Sequence, residues 1–413
     1  MLKSYGKVAV IENMCSNSAY DVCVIGAGVV GSSTAHYLAS RGQNTLLLEQ
    51  FPLPHWRGSS HGQTRIIRGS YEESYYTKMV VEAQKMWKKI EEKAQQQILV
   101  PNVGMLTVEK GPGKGLDQIV SSLVKAGENF QVLSNKKLEE KFPELSFSPN
   151  YSAVLETSAG VLKADKCVRV LQEQFLEFGG TLKDGETVAE VWPGETVTIK
   201  TNNNLFTAKK VIITAGPWTN KLLKPLGITL SLRPQLAVVV YWKTKEPGKY
   251  SLKSGFPNFY DCSASDGRRL YGIPSSEYPN MFKFGCTGLC TIPDLCKEID
   301  PDGRDNDRAL VEMHIQRIRG YVQDHLPHLD YRQPAIVETC IYTLTPDGNY
   351  VLDKHPKFSN VVVGAGFSAH GFKLGPVSGK ILAQLAMGET PAYDLSPFRI
   401  SRFKTSIGQK ASL

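Results

Sequence analysis

Cysteine is scarce in this chain: eight in 413 residues, too few for a disulfide scaffold. The apolar stretch near the start, Val8–Ile11, is far shorter than the roughly 7–15 residues of a secretory signal core. Reduced thiols and an intracellular setting are therefore expected. Long hydrophobic runs are missing too. Leu236–Trp242 is among the longest, whereas a membrane-spanning helix needs roughly 18–20 apolar residues, so a transmembrane protein is excluded. Basic residues outnumber acidic ones by 48 to 40, a formal charge of +8. They are spread thinly, with acids interleaved in Lys88–Lys93 and Lys136–Lys141. A nucleic-acid surface needs a clustered basic stripe with aromatics between. Without one, a small anionic substrate is the better reading of the charge. No internal repeat, H-E-x-x-H pair or G-x-S-x-G elbow appears. Cys286, Cys290 and Cys296 lack zinc-site spacing and have no His nearby, so no metal is expected.

What is present is a globular composition, 41% hydrophobic and 21% charged, long enough for two or three domains. Tyr20–Gln50 reads as strand, glycine turn, helix and strand: Asp21–Ile25, then Gly31–Arg41 capped by Gly42, then Thr45–Glu49. Helical periodicity returns in Tyr75–Gln97 and Lys163–Phe178. Ala208–Thr214 and Val361–Val363 read as strands, and Gly375–Met387 as a closing helix. Between them, Arg233–Trp242 alternates and is rich in β-branched residues, and Tyr271–Phe284 is broken by Gly and Pro. These stretches suggest an antiparallel sheet. The expected fold class is α/β: a Rossmann-like nucleotide-binding domain with an inserted α+β domain whose sheet is mainly antiparallel. The expected boundaries give residues 19–86, 155–226 and 336–413 to the first domain. Residues 87–154 and 227–335 go to the second, and 1–18 form a flexible lead-in.

Gly26-Ala27-Gly28-Val29-Val30-Gly31 matches G-x-G-x-x-G between the first strand and its helix. Gly26 allows the tight turn, Gly28 lets the backbone approach a pyrophosphate, and Gly31 lets helix and strand pack closely. Glu49, at the end of the second strand, is placed to accept hydrogen bonds from ribose hydroxyls. The fingerprint establishes a dinucleotide but does not separate NAD from FAD.

Four further motifs make that separation. They are Gly58–Arg68 (GSSHGQTRIIR), Val211–Thr219 (VIITAGPWT), Cys340–Asp347 (CIYTLTPD) and Gly366–Lys373 (GFSAHGFK). In this order, and with the fingerprint, the chain resembles the monomeric sarcosine oxidase family from about Tyr20 to Phe403. The resemblance implies a two-domain FAD-dependent oxidase of secondary amino acids such as sarcosine or L-pipecolate. Hydride would pass to flavin N5 to give an imine, and O2 would be reduced to hydrogen peroxide. Cys340 occupies the position that tethers FAD covalently in the family. Arg68 and Lys373 match the residues that hold the substrate carboxylate, and the Gly371–Lys373 loop borders the flavin. Thr64 and Arg65 match neighbours of the flavin face, and His61 a histidine of the same loop. Tyr271 and Tyr342 match hydroxyls lining the substrate cavity, and Lys283 matches the lysine that activates oxygen.

The residue chemistry agrees with these roles. Arg68 can grip a carboxylate bidentately and Lys373 adds a point charge. The Gly-rich loop Gly364–Gly375 and the helix after it can turn positive N–H groups toward the charge of a reduced flavin. A fixed cation at Lys283 would stabilise superoxide. One departure stands out: Thr287 occupies a position where the family usually has His. Two alternatives stand beside this reading: a flavin dehydrogenase with a non-oxygen acceptor and, invited by Thr287 alone, a flavin-bound binding protein with weakened turnover. The last three residues, Ala411-Ser412-Leu413, are similar to a Ser-Lys-Leu peroxisomal signal with Ser in the basic position. Peroxisomal import through its receptor is expected from them, and otherwise a cytosolic location. The resemblance implies a monomer.

Overall fold

The computed structural model describes residues 20–111, 114–263, 269–287, 297–303 and 307–403. The expected lead-in 1–18, the C-terminal tripeptide, Cys290 and Cys296 lie outside them. The chain divides into two compact units, with breaks at Ser60/His61, Cys167/Val168, Arg233/Pro234 and Leu344/Thr345.

The first unit is built on parallel strands. Val361–Ala365, Leu205–Ile213, Tyr20–Ile25, Thr45–Leu48 and Thr181–Lys183 lie side by side in that order, all parallel. Val351–Lys354 and the hairpin Val188–Trp192/Val197–Thr201 add antiparallel strands. Parallel strands are covered on both faces, which is why Val22–Ile25 and Leu46–Leu48 are continuously apolar and buried. The helix Val29–Ser40 follows the first strand, and the helix Gly375–Met387 closes the unit. These two helices meet backbone to backbone. A Cβ at Gly379 would lie 2.7 Å from Ser33 C and Thr34 N, and one at Gly375 would lie 2.8 Å from Val29 Cγ2.

The second unit carries an eight-stranded sheet. Its order is Ile336–Leu344, Arg233–Lys243, Met281–Thr287, Arg269–Pro274, Asn258–Asp261, Met105–Lys110, Tyr151–Glu156 and Phe130–Leu133. The sheet is mainly antiparallel, with Asn258–Asp261 and Met105–Lys110 as a parallel pair. One face is the hydrophobic core. Leu236, Val238, Val240 and Trp242 alternate onto it, meet Phe282 and Phe284, and are covered by Leu310, Ile315, Ile318 and Val322 of the helix Arg308–His325. Strand periodicity of two sends the intervening residues to the other face, and those residues build the site below.

The unit boundaries differ from the expected ones for identifiable reasons. Thr64–Ile67 pairs with Gly160–Lys163, which also pairs with Leu99–Val100, so a small third sheet draws 61–86 and 155–167 into the second unit. Ile336–Leu344 is an edge strand of the large sheet, so it too belongs there. Ile228, Leu230 and Leu232 pack into the core of the first unit, which moves the third break from 226 to Arg233. Among the described residues, no helix is long and apolar enough to cross a membrane.

Candidate active site

The first unit contributes a cradle made of backbone. Gly26 has φ +100°, and a Cβ there would sit 2.6 Å from the Thr214 carbonyl oxygen. At Gly31 a Cβ would lie 1.8 Å from the Gly26 carbonyl oxygen. Gly28 caps the helix without a side-chain hydrogen bond, and the first turn carries no acidic residue. The turn is thus closed to side chains and its helix start is suited to a phosphate, which fits a dinucleotide such as FAD. Ser60 Oγ accepts the Val29 N–H at 2.9 Å and closes one side. Glu49 is buried where a ribose-binding acid is expected. Its oxygens accept N–H groups from Ala27 at 2.9 Å and Phe51 at 3.2 Å, so within the protein it braces the turn.

Gly371 and Lys373 belong to the same unit, at the entry to the closing helix, and Lys373 is buried. The loop before them is strained. Ser368 and Ala369 hold φ values of +47° and +64°, a left-handed conformation that non-glycine residues rarely adopt. Both ends are braced. Ser368 Oγ accepts the Thr345 N–H and donates to the Gly366 carbonyl, while His370 Nδ1 meets the Tyr350 hydroxyl at 2.8 Å.

The second unit gathers the side chains. Cross-strand partners share a face, so the pairs Tyr241/Lys283, Val239/Gly285, Tyr271/Gly285 and Tyr260/Tyr271 put Tyr241, Lys283, Tyr271 and Tyr260 on the face opposite the core. Gly285 leaves room for a neighbour: a Cβ there would lie 2.4 Å from the Tyr271 hydroxyl. Glu338, Cys340 and Tyr342 alternate on one side of their strand, and Tyr342 is buried. Burial raises the Tyr271 hydroxyl well above its usual pKa. The charge of Arg65 opposes that shift, and Cys340, Cys286 and Tyr342 are near enough to reinforce it. Thr287 stands opposite Arg269 at the end of this pair of strands.

The segment His61–Arg68 supplies the remaining groups. Arg65 is tied to its own loop, donating to the Thr64 carbonyl at 2.9 Å and the His61 carbonyl at 2.7 Å. Arg68 is buried with its guanidinium 4.6 Å from the ring centres of both Tyr71 and Tyr260. One terminal nitrogen donates to the Ser70 carbonyl, and among the described residues no carboxylate lies within ion-pair distance. The nearby carboxylate, Glu156, is fully buried and engaged elsewhere. It accepts the Gly69 and Ser70 N–H groups at 2.7 and 2.8 Å and fixes the loop beside Arg68. Burial raises Glu156 above the usual carboxylate range, against hydrogen bonds from Ser70 and Gly69 and the charge of Arg68.

His61 Nε2 lies 3.2 Å from the Thr339 carbonyl, which can only accept, so this nitrogen carries the proton. The Nδ1 lone pair is left toward Cys340 Sγ at 3.9 Å. Lys283 is 2% exposed and donates to Thr64 Oγ1 at 3.1 Å and the Thr64 carbonyl at 3.4 Å. Burial and the like charge of Arg65 push Lys283 down to about 8, against the pull of Glu277, Glu338 and Cys340.

The site residues named from sequence thus fall into two sets. Gly26, Gly28, Gly31, Glu49, Gly371 and Lys373 lie in the first unit. His61, Thr64, Arg65, Arg68, Tyr271, Lys283, Cys340 and Tyr342 lie in the second. Sequence reasoning did not single out Tyr241, Tyr260, Glu156 or Glu277. For Tyr241 and Tyr260 the available signal was strand parity, which is useless until the register is known. Glu277 sits in a turn with no pattern at all.

The glycine-fingerprint parallel sheet and the mainly antiparallel unit with its buried cations fit a flavoprotein oxidoreductase. Residues 21–385 match the profile of the FAD dependent oxidoreductase family, and the chain belongs to that family. Human peroxisomal sarcosine oxidase is 43% identical over 385 residues, covering 93% of this chain and 96% of that protein. The monomeric sarcosine oxidase of Arthrobacter sp. is 32% identical over 386 residues, covering 93% and 96%. In fold the chain is similar to a variant of NikD, an unusual amino acid oxidase essential for nikkomycin biosynthesis. The TM-score is 0.79 at 23% identity, with 96% of this chain and 100% of that one covered.

Proposed function

We propose that this enzyme oxidises a secondary α-amino acid, either N-methylated like sarcosine or cyclic like L-pipecolate, to the imine. Molecular oxygen would be the acceptor and hydrogen peroxide the second product. FAD, when bound, would supply the two-electron chemistry that links substrate oxidation to the reduction of oxygen. The observation carrying this reading is Arg68, a buried guanidinium stacked between Tyr71 and Tyr260 with no carboxylate of the described protein paired to it. Such a cation calls for an anion from outside, and a bidentate carboxylate matches its fork.

The other roles follow from residue chemistry. Arg68 and Lys373 bind the substrate carboxylate. The Tyr271 hydroxyl, kept protonated by its burial, and the Tyr342 hydroxyl orient the amine and exclude water. Gly26, Gly28, Gly31 and Glu49 hold the dinucleotide, and the Gly371 loop offers N–H groups to the flavin. Thr64 and Arg65 border the ring. Cys340 is the thiol for covalent attachment, with His61 Nδ1 placed to receive its proton. Lys283 is the cation that stabilises reduced oxygen. The name of the human relative and the C-terminal tripeptide support import into peroxisomes through the import receptor, and the bacterial relative's name supports a monomer.

The deciding experiment is anaerobic bleaching of the flavin by sarcosine, L-pipecolate, L-proline and D-pipecolate. Fast bleaching by an L-substrate or sarcosine, followed by rapid reoxidation in air, is expected. Flavin that dithionite reduces but none of these substrates bleaches would overturn the substrate class. Slow reoxidation in air would point to another acceptor. Acid precipitation tests the attachment: the pellet stays yellow in the native chain and loses its colour in Cys340→Ser.

A further inference from the structure

Glu277 lies in the turn between the strands Arg269–Pro274 and Met281–Thr287, yet its side chain is only 9% exposed. Both of its oxygens are occupied. Oε1 accepts the Thr64 hydroxyl at 2.9 Å and the Tyr241 hydroxyl at 2.9 Å. Oε2 accepts the Ser276 N–H at 3.0 Å and the Ser276 hydroxyl at 3.2 Å. A carboxylate has about four lone-pair positions, so this one is saturated and fixed. The bonds also have a direction. The Lys283 ammonium donates to Thr64 Oγ1 at 3.1 Å, and that hydroxyl in turn donates to Glu277. The same Glu277 oxygen stands 3.8 Å from Lys283 Nζ, and the Tyr241 ring centre stands 5.4 Å from it.

We propose that Glu277 is a positioning residue for Lys283: through the Thr64 hydroxyl, and anchored by Tyr241, its carboxylate holds the lysine in one place as a cation. The inference rests on the oxygen-activating role given to Lys283 above. A buried lysine without a counter-charge would lose its proton near neutrality and leave nothing to stabilise an oxygen anion.

The groups around Lys283 make the sign plain. Arg65, on the strand Thr64–Ile67, repels the ammonium. Glu277 on the turn, and Glu338 and Cys340 on the edge strand, favour it, while Tyr241 and Thr64 offer neutral oxygens. Tyr278 lies beside Tyr241. Burial alone would raise Glu277, but Lys283 and the bonds from its own backbone, Thr64 and Tyr241 leave it below the usual carboxylate range. Lys283 therefore keeps its proton below about pH 8 and loses it above. The oxygen step should be fast on the acid side and fall through that pH. Oxidation of the substrate should rise with pH instead, as the substrate amine loses its proton. The overall profile is a bell.

The test uses holoenzyme labelled with ¹³Cε-lysine and titrated by NMR, with the Lys283 signal assigned by its loss in Lys283→Met. The native midpoint is expected near 8. Glu277→Gln keeps the shape and most of the hydrogen bonds but removes the charge, and should lower the midpoint by about 1–3 pH units. In rapid mixing of dithionite-reduced enzyme with oxygen, the alkaline limb should move down by the same amount. Glu277→Asp retains the charge on a shorter arm and should fall between the two, and it gives the same reading if the Gln variant does not fold. An unchanged midpoint in folded Glu277→Gln or Glu277→Asp overturns the proposal. A different failure has its own mark. If Lys283→Met reoxidises at the native rate, the role of Lys283 in the oxygen step is wrong, while the titration still decides whether Glu277 holds it.

Discussion

The two units hold their functional groups by opposite means. In the first, the site is backbone: a turn so tight that Gly31 has no space for a Cβ, the starts of two helices, and a strained loop at Ser368–Ala369. In the second, the site is side chains projected from one face of a sheet and from the segment His61–Arg68. Several are positioned by neighbours far away in sequence, as Lys283 is by Thr64 and Arg68 by Tyr260. A backbone site is broken by an added atom. A side-chain site should bend around an added atom but depend on the chemistry of each group.

The sharpest break of that comparison is Gly31→Ala. The added Cβ would sit 1.8 Å from Gly26 O and 2.7 Å from Thr214 Oγ1, and neither can move without opening the turn. Flavin content, read as the ratio of visible to protein absorbance, is expected to fall to background. A fully yellow Gly31→Ala protein would mean that the turn does not govern binding. Next comes Arg68→Lys, which keeps the charge but gives up the fork and the stacking between two rings. Substrate affinity, taken from the concentration dependence of anaerobic bleaching, should weaken by roughly 30-fold, about 2 kcal/mol, with flavin content unchanged. Equal affinity would reduce this part of the site to charge alone. The mildest is Gly285→Ala, where the new atom would lie 2.4 Å from the Tyr271 hydroxyl. The ring can tilt away, so a loss of about tenfold in kcat/KM, near 1.4 kcal/mol, is expected with the fold and cofactor intact.

The same contrast explains what the sequence could tell. The parallel strands and the fingerprint depend on local spacing, so the closing helix Gly375–Met387 is found at its expected limits and the first helix begins only two residues before Gly31. The early break at Ser60 was hidden, because Thr64–Ile67 becomes part of the second unit only by pairing with Gly160–Lys163, almost a hundred residues on. In the site, Arg68, Lys283 and Cys340 were reached through motif resemblance, not through periodicity. Nothing in the chain marks Glu277. Its importance comes from a register that sets Tyr241 opposite Lys283 and from a turn that folds back onto Thr64. Such groups are legible only once strands are paired.

The seating of Gly375 and Gly379 on the helix Val29–Ser40 also sets an order in time. The ribosome releases these two helices more than three hundred residues apart, which at about 5–20 residues per second is on the order of a minute. Throughout that interval the strand–turn–helix of the nascent chain lacks the partner that covers its flat face of small residues. The loop entering the last helix does not yet exist. A chain stalled between Leu344 and Gly375 has released every segment of its second unit but lacks the helix that packs on Val29–Ser40. The expected consequence is that a dinucleotide loads late, after the closing helix has been released to pack on Val29–Ser40.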